Sequence, residues 1–211
     1  MATAYKPFLD TISAIETKEE FWVEHDLSAI PMNLLNRIQE LKESNIISTK
    51  TCNIGESHKE FKEIVINSRS IEGATGVFNP VWVGMFLQLA RYGVEISLIV
   101  TENIFSEIKN MYCSQLAAGL DCEKVHLYVT KSELKAAFVS TDQGISLSLN
   151  YKNGTYDPYN DLMGYDQASM NWVKDLFEYY KENSIEIERI YNPGECIYSI
   201  NKNKKIKVEC V

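Results

Sequence analysis

No stretch of this chain approaches the roughly 20 continuous apolar residues that a membrane span requires. The N-terminal segment MATAYKPFLDTISAIETKEEFW lacks the unbroken apolar core of a secretory leader. Basic charge is also short: 21 Lys and Arg stand against 29 Asp and Glu, a formal net charge of −8. Affinity for nucleic acid comes mainly from cations neutralising phosphates, so this balance argues against a chain that grips DNA by itself. The basic cluster Lys202, Lys204, Lys205 and Lys207 reads as a solvated turn. Cysteine is sparse. The five residues Cys52, Cys113, Cys122, Cys196 and Cys210 form no CxxC, and reduced thiols are expected. The three histidines are scattered, so no metal site is expected. GxSxG, GxGxxG and Walker A loops are missing, and Gly73–Gly76 reads as a plain loop. The acidic pairs Glu19/Glu20 and Glu186/Glu188 read as solvated faces. No catalytic residue and no cofactor is predicted.

What is present is enough to fold. With 45% hydrophobic and 24% charged residues in 211, the chain has the composition of a soluble globular domain able to bury a core. Its organising stretch is LKAAFVSTDQGISLSLN, residues 134–150. An apolar run meets a turn at Thr141-Asp142-Gln143-Gly144, and then Ile, Ser, Leu, Ser, Leu alternate with the period of a half-buried strand. Ile145, Leu147 and Leu149 form one face, and Ser146 and Ser148 the other. This hairpin is predicted to lie at the centre of a sheet.

Residues 5–24 show one apolar face of a helix, with Asp26 placed to cap a short turn ahead of Pro31. Residues 32–43 read as a helix with Leu34, Leu35, Ile38 and Leu41 on its stripe. The segment LSAIPMNLLNRIQELKESNIIS has the outline of a helix-turn-helix, but its second helix is charge-balanced and leaves no room for a wing. Residues 57–67 are predicted to run from helix into a strand at Ile64-Val65-Ile66. Ser68 and Arg69 would then sit at a strand end, either lining a cleft or capping the next element. Pro80 suits the first turn of a helix over 81–91, which Gly93 ends. A buried strand over 94–100, a helix over 102–113 begun by Thr101 and a strand over 126–129 complete a parallel α/β unit. Residues 151–165 read as a polar, turn-rich connection. Residues 166–183 read as a helix capped by Asp166 and buried through Trp172, Leu176, Phe177 and Tyr180. The tail suggests an add-on hairpin of 197–200 and 206–208. Cys196 and Cys210 would face each other there, with two separate thiols the simpler reading. Among the aromatics, core packing accounts for most, and two or three are expected to face a cavity.

Phe21-Trp22…Glu24-His25-Asp26-Leu27, Thr141-Asp142, Gly154…Tyr156-Asp157 and Trp172…Leu176-Phe177-Glu178-Tyr179-Tyr180 are the most specific pieces of a wider likeness. Over about residues 8–185 the chain resembles the regulatory domain of archaeal FilR-type regulators, which are winged-helix methanogenesis regulators. More distantly, the hairpin resembles the phospholipase D-like fold used by TrmB-type sensor domains. Catalytic members of that fold carry HxK, four residues, then Asp. With Asp142 as the Asp, the His and Lys positions fall on Lys135 and Ala137, so the resemblance implies the fold without the chemistry.

The resemblance implies a mixed α/β sheet flanked by helices, phospholipase D-like, with an N-terminal helical segment at 1–55, an effector domain at 56–190 and a tail at 191–211. It further implies a cytoplasmic, homodimeric, effector-binding domain that is not an enzyme and reaches DNA only through a winged helix absent from this chain, whether excised or stand-alone. The expected effector-lining residues are Ser68, Arg69, Trp82, Thr101, Thr141, Asp142 and Tyr156, and Arg69 would suit a carboxylate-bearing small molecule. The alternatives are a phospholipase D-like hydrolase with altered catalytic residues and a pure dimerisation module.

Overall fold

A computed structural model describes residues 6–48, 59–191 and 197–200. In chain order they form α1 (Lys6–Glu16), α2 (Glu19–Glu24), α3 (Met32–Leu35), β1 (Asn45–Ser48), α4 (Lys59–Ile66), β2 (Ser70–Thr75), α5 (Pro80–Arg91) and β3 (Glu95–Thr101). Next come α6 (Glu102–Leu120), β4 (Val125–Thr130), β5 (Ala136–Thr141), β6 (Ile145–Leu149), β7 (Asn160–Gly164), α7 (Gln167–Glu182), β8 (Ser184–Tyr191) and β9 (Ile197–Ile200). All the strands join one mixed sheet in the order β1-β7-β6-β5-β2-β3-β4-β8-β9. β2, β3 and β4 run parallel, and β5 lies antiparallel to β2.

The predicted hairpin is β5–β6, with Ser140 opposite Ile145, and it lies inside the sheet between β7 and β2. Side chains alternate across each strand, so the sheet feeds two layers. Phe138, Leu147 and Leu162 point to the face covered by α7 and the N-terminal helices, where Trp172, Leu176, Phe177, Phe21, Trp22 and Leu34 are buried. Ile71, Ile96, Val139 and Met163 point to the other face, under α4 and α5. α6 packs on that second face over Val100, Leu127 and Val129. Every residue of β6 is buried, the serines included.

Several local signals hold. Asp166 Oδ1 accepts from the N–H groups of Ala168 and Ser169 at 3.0 and 3.1 Å and starts α7. Asn79 Oδ1 accepts from Val81 N–H at 3.0 Å, with Pro80 in the first turn of α5. Asp26 Oδ1 accepts from Ser28 N–H at 2.9 Å.

Other expectations are corrected. The helix over 5–24 breaks at Thr17-Lys18 into α1 and α2. There Lys18 is buried and its ammonium donates to Lys42 O at 3.1 Å, and burial lowers its pKa. The helix over 32–43 stops at Leu35, because Arg37 leaves helical geometry at φ −116° and a 3-10 turn follows at Ile38–Leu41. Leu34, Ile38 and Leu41 stay buried all the same. Ile64-Val65-Ile66 is the end of α4, not a strand; an apolar run of three cannot separate the two periods. Ser68 and Arg69 therefore precede a strand. α6 runs on to Leu120 across a non-helical Tyr112. The connection over 151–165 contains β7, whose sequence NDLMG has no β-branched or aromatic residue to signal it. β8, which the sequence reading does not include, pairs with β9, the first strand of the expected tail hairpin. Cys52, residues 206–208, Cys196, Cys210 and the lysine cluster lie outside the described residues. Cys113 is disulfide-bonded, against the expectation of reduced thiols, since a cysteine count does not say which sulfurs meet. Cys122 is a free thiol. β1 and β9 come from the expected N-terminal segment and tail, so the sheet draws on all three expected segments.

Candidate functional site: a cavity over the sheet

Small residues at matching positions on neighbouring strands leave space on the second face. One row across the sheet reads Asp161, Ser148, Ala137, Thr75 and Val100, and the next reads Met163, Ser146, Val139, Gly73 and Leu98. Glycine, alanine, serine and threonine fill little of the roughly 10 Å between a sheet and the layer above it. A Cβ on Gly73 would lie 2.9 Å from Phe138 O, so that place in the floor resists filling. The roof is Trp82 and Phe86 of α5 with Ile108 and Leu116 of α6, and Phe61 joins from α4. Between them is a cavity of about 500 Å³, a size suited to a small organic ligand.

The lining is mostly apolar, with a polar end at β6 and β7. Ser148 Oγ donates to Asp161 Oδ1, and both residues are buried. Ser146, 3% exposed, also lines the space, and its hydroxyl has no hydrogen-bond partner among the described residues. Such a group inside an otherwise apolar enclosure is a candidate ligand contact.

Of the sequence-predicted lining residues, Trp82 and Tyr156 border this cavity. The other five lie outside its lining. Arg69 N–H donates to Asp142 Oδ1 at 2.8 Å, which joins the start of β2 to the β5–β6 turn. Burial pushes the Asp142 carboxyl up, but backbone N–H groups of Arg69 and Ser70 and the Gln143 side chain outweigh it, and its pKa is lowered. Thr141 Oγ1 accepts from Gln143 and Gly144 N–H and closes that turn. Ser68 Oγ donates to Val65 O, and Thr101 Oγ1 accepts from Ile104 N–H to cap α6. Sequence reading missed Ser146, Ser148 and Asp161. The two serines read as a solvent face, and the hint against this was the strand's interior place in the sheet, which puts both faces under another layer. Asp161 lay in the unread β7.

The expected phospholipase D positions carry other work. Lys135 Nζ is 2.9 Å from Asp26 Oδ2, and Ala137 forms cavity floor. Among the described residues no group of three or more His, Cys, Asp or Glu is placed to hold a metal, and no helix is long and apolar enough to cross a membrane.

A buried polar clasp adjoins the cavity. Tyr156 and Pro158 line the cavity, while Asp157 between them faces away to His25 on the segment following α2. His25 Nδ1 is 2.7 Å from Phe21 O and Nε2 is 2.9 Å from Asp157 Oδ2. The ring stacks on Tyr151, centroids 4.8 Å apart. Burial alone would raise the Asp157 carboxyl, but hydrogen bonds from Asn160, Tyr159 N–H, Tyr151 and His25 prevail and lower it. Burial first, and then the Asp157 carboxylate, push the Tyr151 phenol up to about 12. The pieces Phe21…His25 and Tyr156-Asp157, singled out in sequence, thus meet in space. Further pins hold the same helical layer: Trp172 Nε1 donates to Leu34 O at 3.0 Å and Tyr180 OH donates to Ala29 O at 2.6 Å.

With this geometry in place, comparison with known proteins is informative. The family model described as "Methanogenesis regulatory protein FilR1, middle domain" matches residues 54–183, more than half of the chain. The curated Methanogenesis regulatory protein FilR1 of Methanothrix harundinacea (strain 6Ac) is 25% identical over 184 residues. That match covers 85% of this chain and 41% of the relative, so the chain spans about two fifths of the relative's length. Among solved structures, TrmBL2, titled an archaeal chromatin protein with a novel mode of DNA binding, superposes with a TM-score of 0.54 at 16% identity. The superposition covers 67% of this chain and 53% of that one, and it speaks for a shared fold. On the extent of the family match, the chain belongs to the family of the FilR1 middle domain.

Proposed function

We propose that this chain is the small-molecule-sensing part of a transcription regulator, acting as a ligand-controlled switch and not as an enzyme. The observation that carries the reading is the cavity: about 500 Å³, roofed by Trp82 and Phe86, with a buried polar end at Ser146, Ser148 and Asp161. A pure dimerisation module has no need for such a space, because interiors ordinarily pack without voids larger than a water molecule. The hydrolase reading lacks its His and Lys at positions 135 and 137.

The clasp offers a route outward. A ligand that presses on Tyr156 and Pro158 acts on the residues flanking Asp157, and so on the His25 contact that holds the N-terminal helices. Binding then shifts an equilibrium of that helical layer or of a homodimer, which a winged-helix domain elsewhere in a cytoplasmic regulator reads at DNA.

The test uses the neutral fluorophore N-phenyl-1-naphthylamine. The expected result is saturable binding to the chain, with loss of binding in Ala137→Phe, which fills the floor, while circular dichroism stays unchanged. Equal binding by the folded Ala137→Phe variant, or none by the parent chain, would reject the cavity as the sensor site.

A further inference from the structure

The cavity is long for its volume. Its floor takes a residue from each strand in an unbroken run across the sheet: Asp161 of β7, Ser148 of β6, Ala137 of β5, Gly73 of β2, Leu98 of β3 and Leu127 of β4. Neighbouring strands stand about 4.8 Å apart, so the spacings from β7 to β4 make this floor roughly 24 Å long. A volume of about 500 Å³ spread over that length leaves a mean cross-section of only about 20 Å². A single hydrocarbon chain has that girth, and a fused-ring body is wider. An extended chain advances about 1.3 Å per carbon at ordinary C–C bond lengths, so roughly 18 carbons cross the floor. Trp82 and Phe86 of α5 and Ile108 and Leu116 of α6 lie over this course. Every methylene laid between them and the floor leaves water for apolar surface, which is favourable. The floor twists with its strands, and a chain of single bonds can follow that twist where a rigid ring system cannot.

We infer that the cavity takes a molecule built on one long hydrocarbon chain, laid across the sheet between β7 and β4. This rests on the cavity being the sensor site and adds the shape of its ligand. The two ends of such a slot are separable. α6 ends at Leu120 and β4 begins at Val125, so Gly119 and Leu120 border the slot at its β4 end, while Tyr156 and Pro158 border it at the β7 end. A Cβ on Gly119 would meet nothing within 4 Å, so a larger side chain there has room to occupy the β4 end.

The experiment is displacement of N-phenyl-1-naphthylamine from the intact chain by alcohols that share one head: 1-octanol, 1-decanol, 1-dodecanol, 1-hexadecanol and the wide ring cyclododecanol. Affinity is expected to rise about tenfold for every two added methylenes, up to 1-hexadecanol. Cyclododecanol is expected to need about tenfold more than 1-dodecanol, which has the same number of carbons. Gly119→Leu, with circular dichroism unchanged, is expected to weaken 1-hexadecanol about tenfold and to leave 1-octanol within about twofold, because only the long chain reaches the filled end. Cyclododecanol displacing as well as 1-dodecanol would overturn the chain-shaped ligand, and that comparison needs no variant. Equal weakening of 1-octanol and 1-hexadecanol in Gly119→Leu would overturn it too, since a compact cavity loses room for every ligand alike. Displacement by none of the alcohols, with the naphthylamine still bound by the parent and lost in Ala137→Phe, would overturn the chain and leave the cavity as the binding site. A parent that binds neither would overturn the chain and the sensor reading together.

Discussion

His25 Nε2 lies 2.9 Å from Asp157 Oδ2, with the two side chains 1% and 0% exposed. The residues are 132 positions apart in sequence, and the pair fastens the N-terminal helical layer to the connection between β6 and β7. The His25 ring nitrogens both face oxygen acceptors, Phe21 O and Asp157, so removing either partner leaves the other buried with one hydrogen bond fewer. Asp157→Leu or His25→Leu alone is expected to cost about 3–5 kcal/mol, measured by urea unfolding. The double variant is expected to recover a large part of that loss, since neither member of the pair is then left without the other. A single variant within about 0.5 kcal/mol of the parent would show the pair to be dispensable.

Acid should loosen the same layer. Asp157 is held below its ordinary value, and so is Asp26, which hydrogen bonds from Ser28 and Lys135 hold at about 2. A carboxyl with a depressed folded-state pKa stabilises the fold above its unfolded value, near pH ~4, and loses that stabilisation as pH falls through the folded value. Thermal midpoints are therefore expected to fall between pH 4 and about 2, and less steeply in Asp26→Asn. An unaltered slope in that variant would remove Asp26 from the account.

Trp82 is the indole at the cavity wall, while Trp22 and Trp172 are 5% and 0% exposed in the opposite layer. Ligand entry is expected to change tryptophan emission through Trp82, and Trp82→Phe is expected to abolish the change while binding persists. An undiminished signal in Trp82→Phe would place the ligand elsewhere.

Two glycines should respond with opposite signs. A Cβ on Gly84, inside α5, meets nothing within 4 Å, so Gly84→Ala is expected to stabilise by about 0.5–1 kcal/mol. A Cβ on Gly164 would stand 2.5 Å from the hydroxyls of both Ser169 and Ser44, so Gly164→Ala is expected to destabilise by about 1–3 kcal/mol. Thermal denaturation of both variants checks the packing of α5 and β7 directly.

Local chemistry was readable along the chain because it acts over a few residues. Asp166 and Asn79 cap the helices that follow them, Pro80 enters a first turn, and the period of two in residues 145–149 marks β6. Phe21-Trp22, Thr141-Asp142, Tyr156-Asp157 and the Trp172–Tyr180 stretch carried the likeness to FilR-type regulators, and through it the mixed α/β sheet. What the sequence could not decide was set by partners distant in the chain. NDLMG becomes β7 because β1 and β6 flank it, and Ile64-Val65 become helix because their layer, not their run length, buries them. Burial of both faces of β6 turns Ser146 and Ser148 from a solvent edge into a cavity floor, and the register of β7 brings Asp161 beside them. Arg69 lies outside the cavity lining for the same reason: it stands at the start of β2, and not at its end. Periodicity shows which side chains share a face, but only the packed layers show what that face meets.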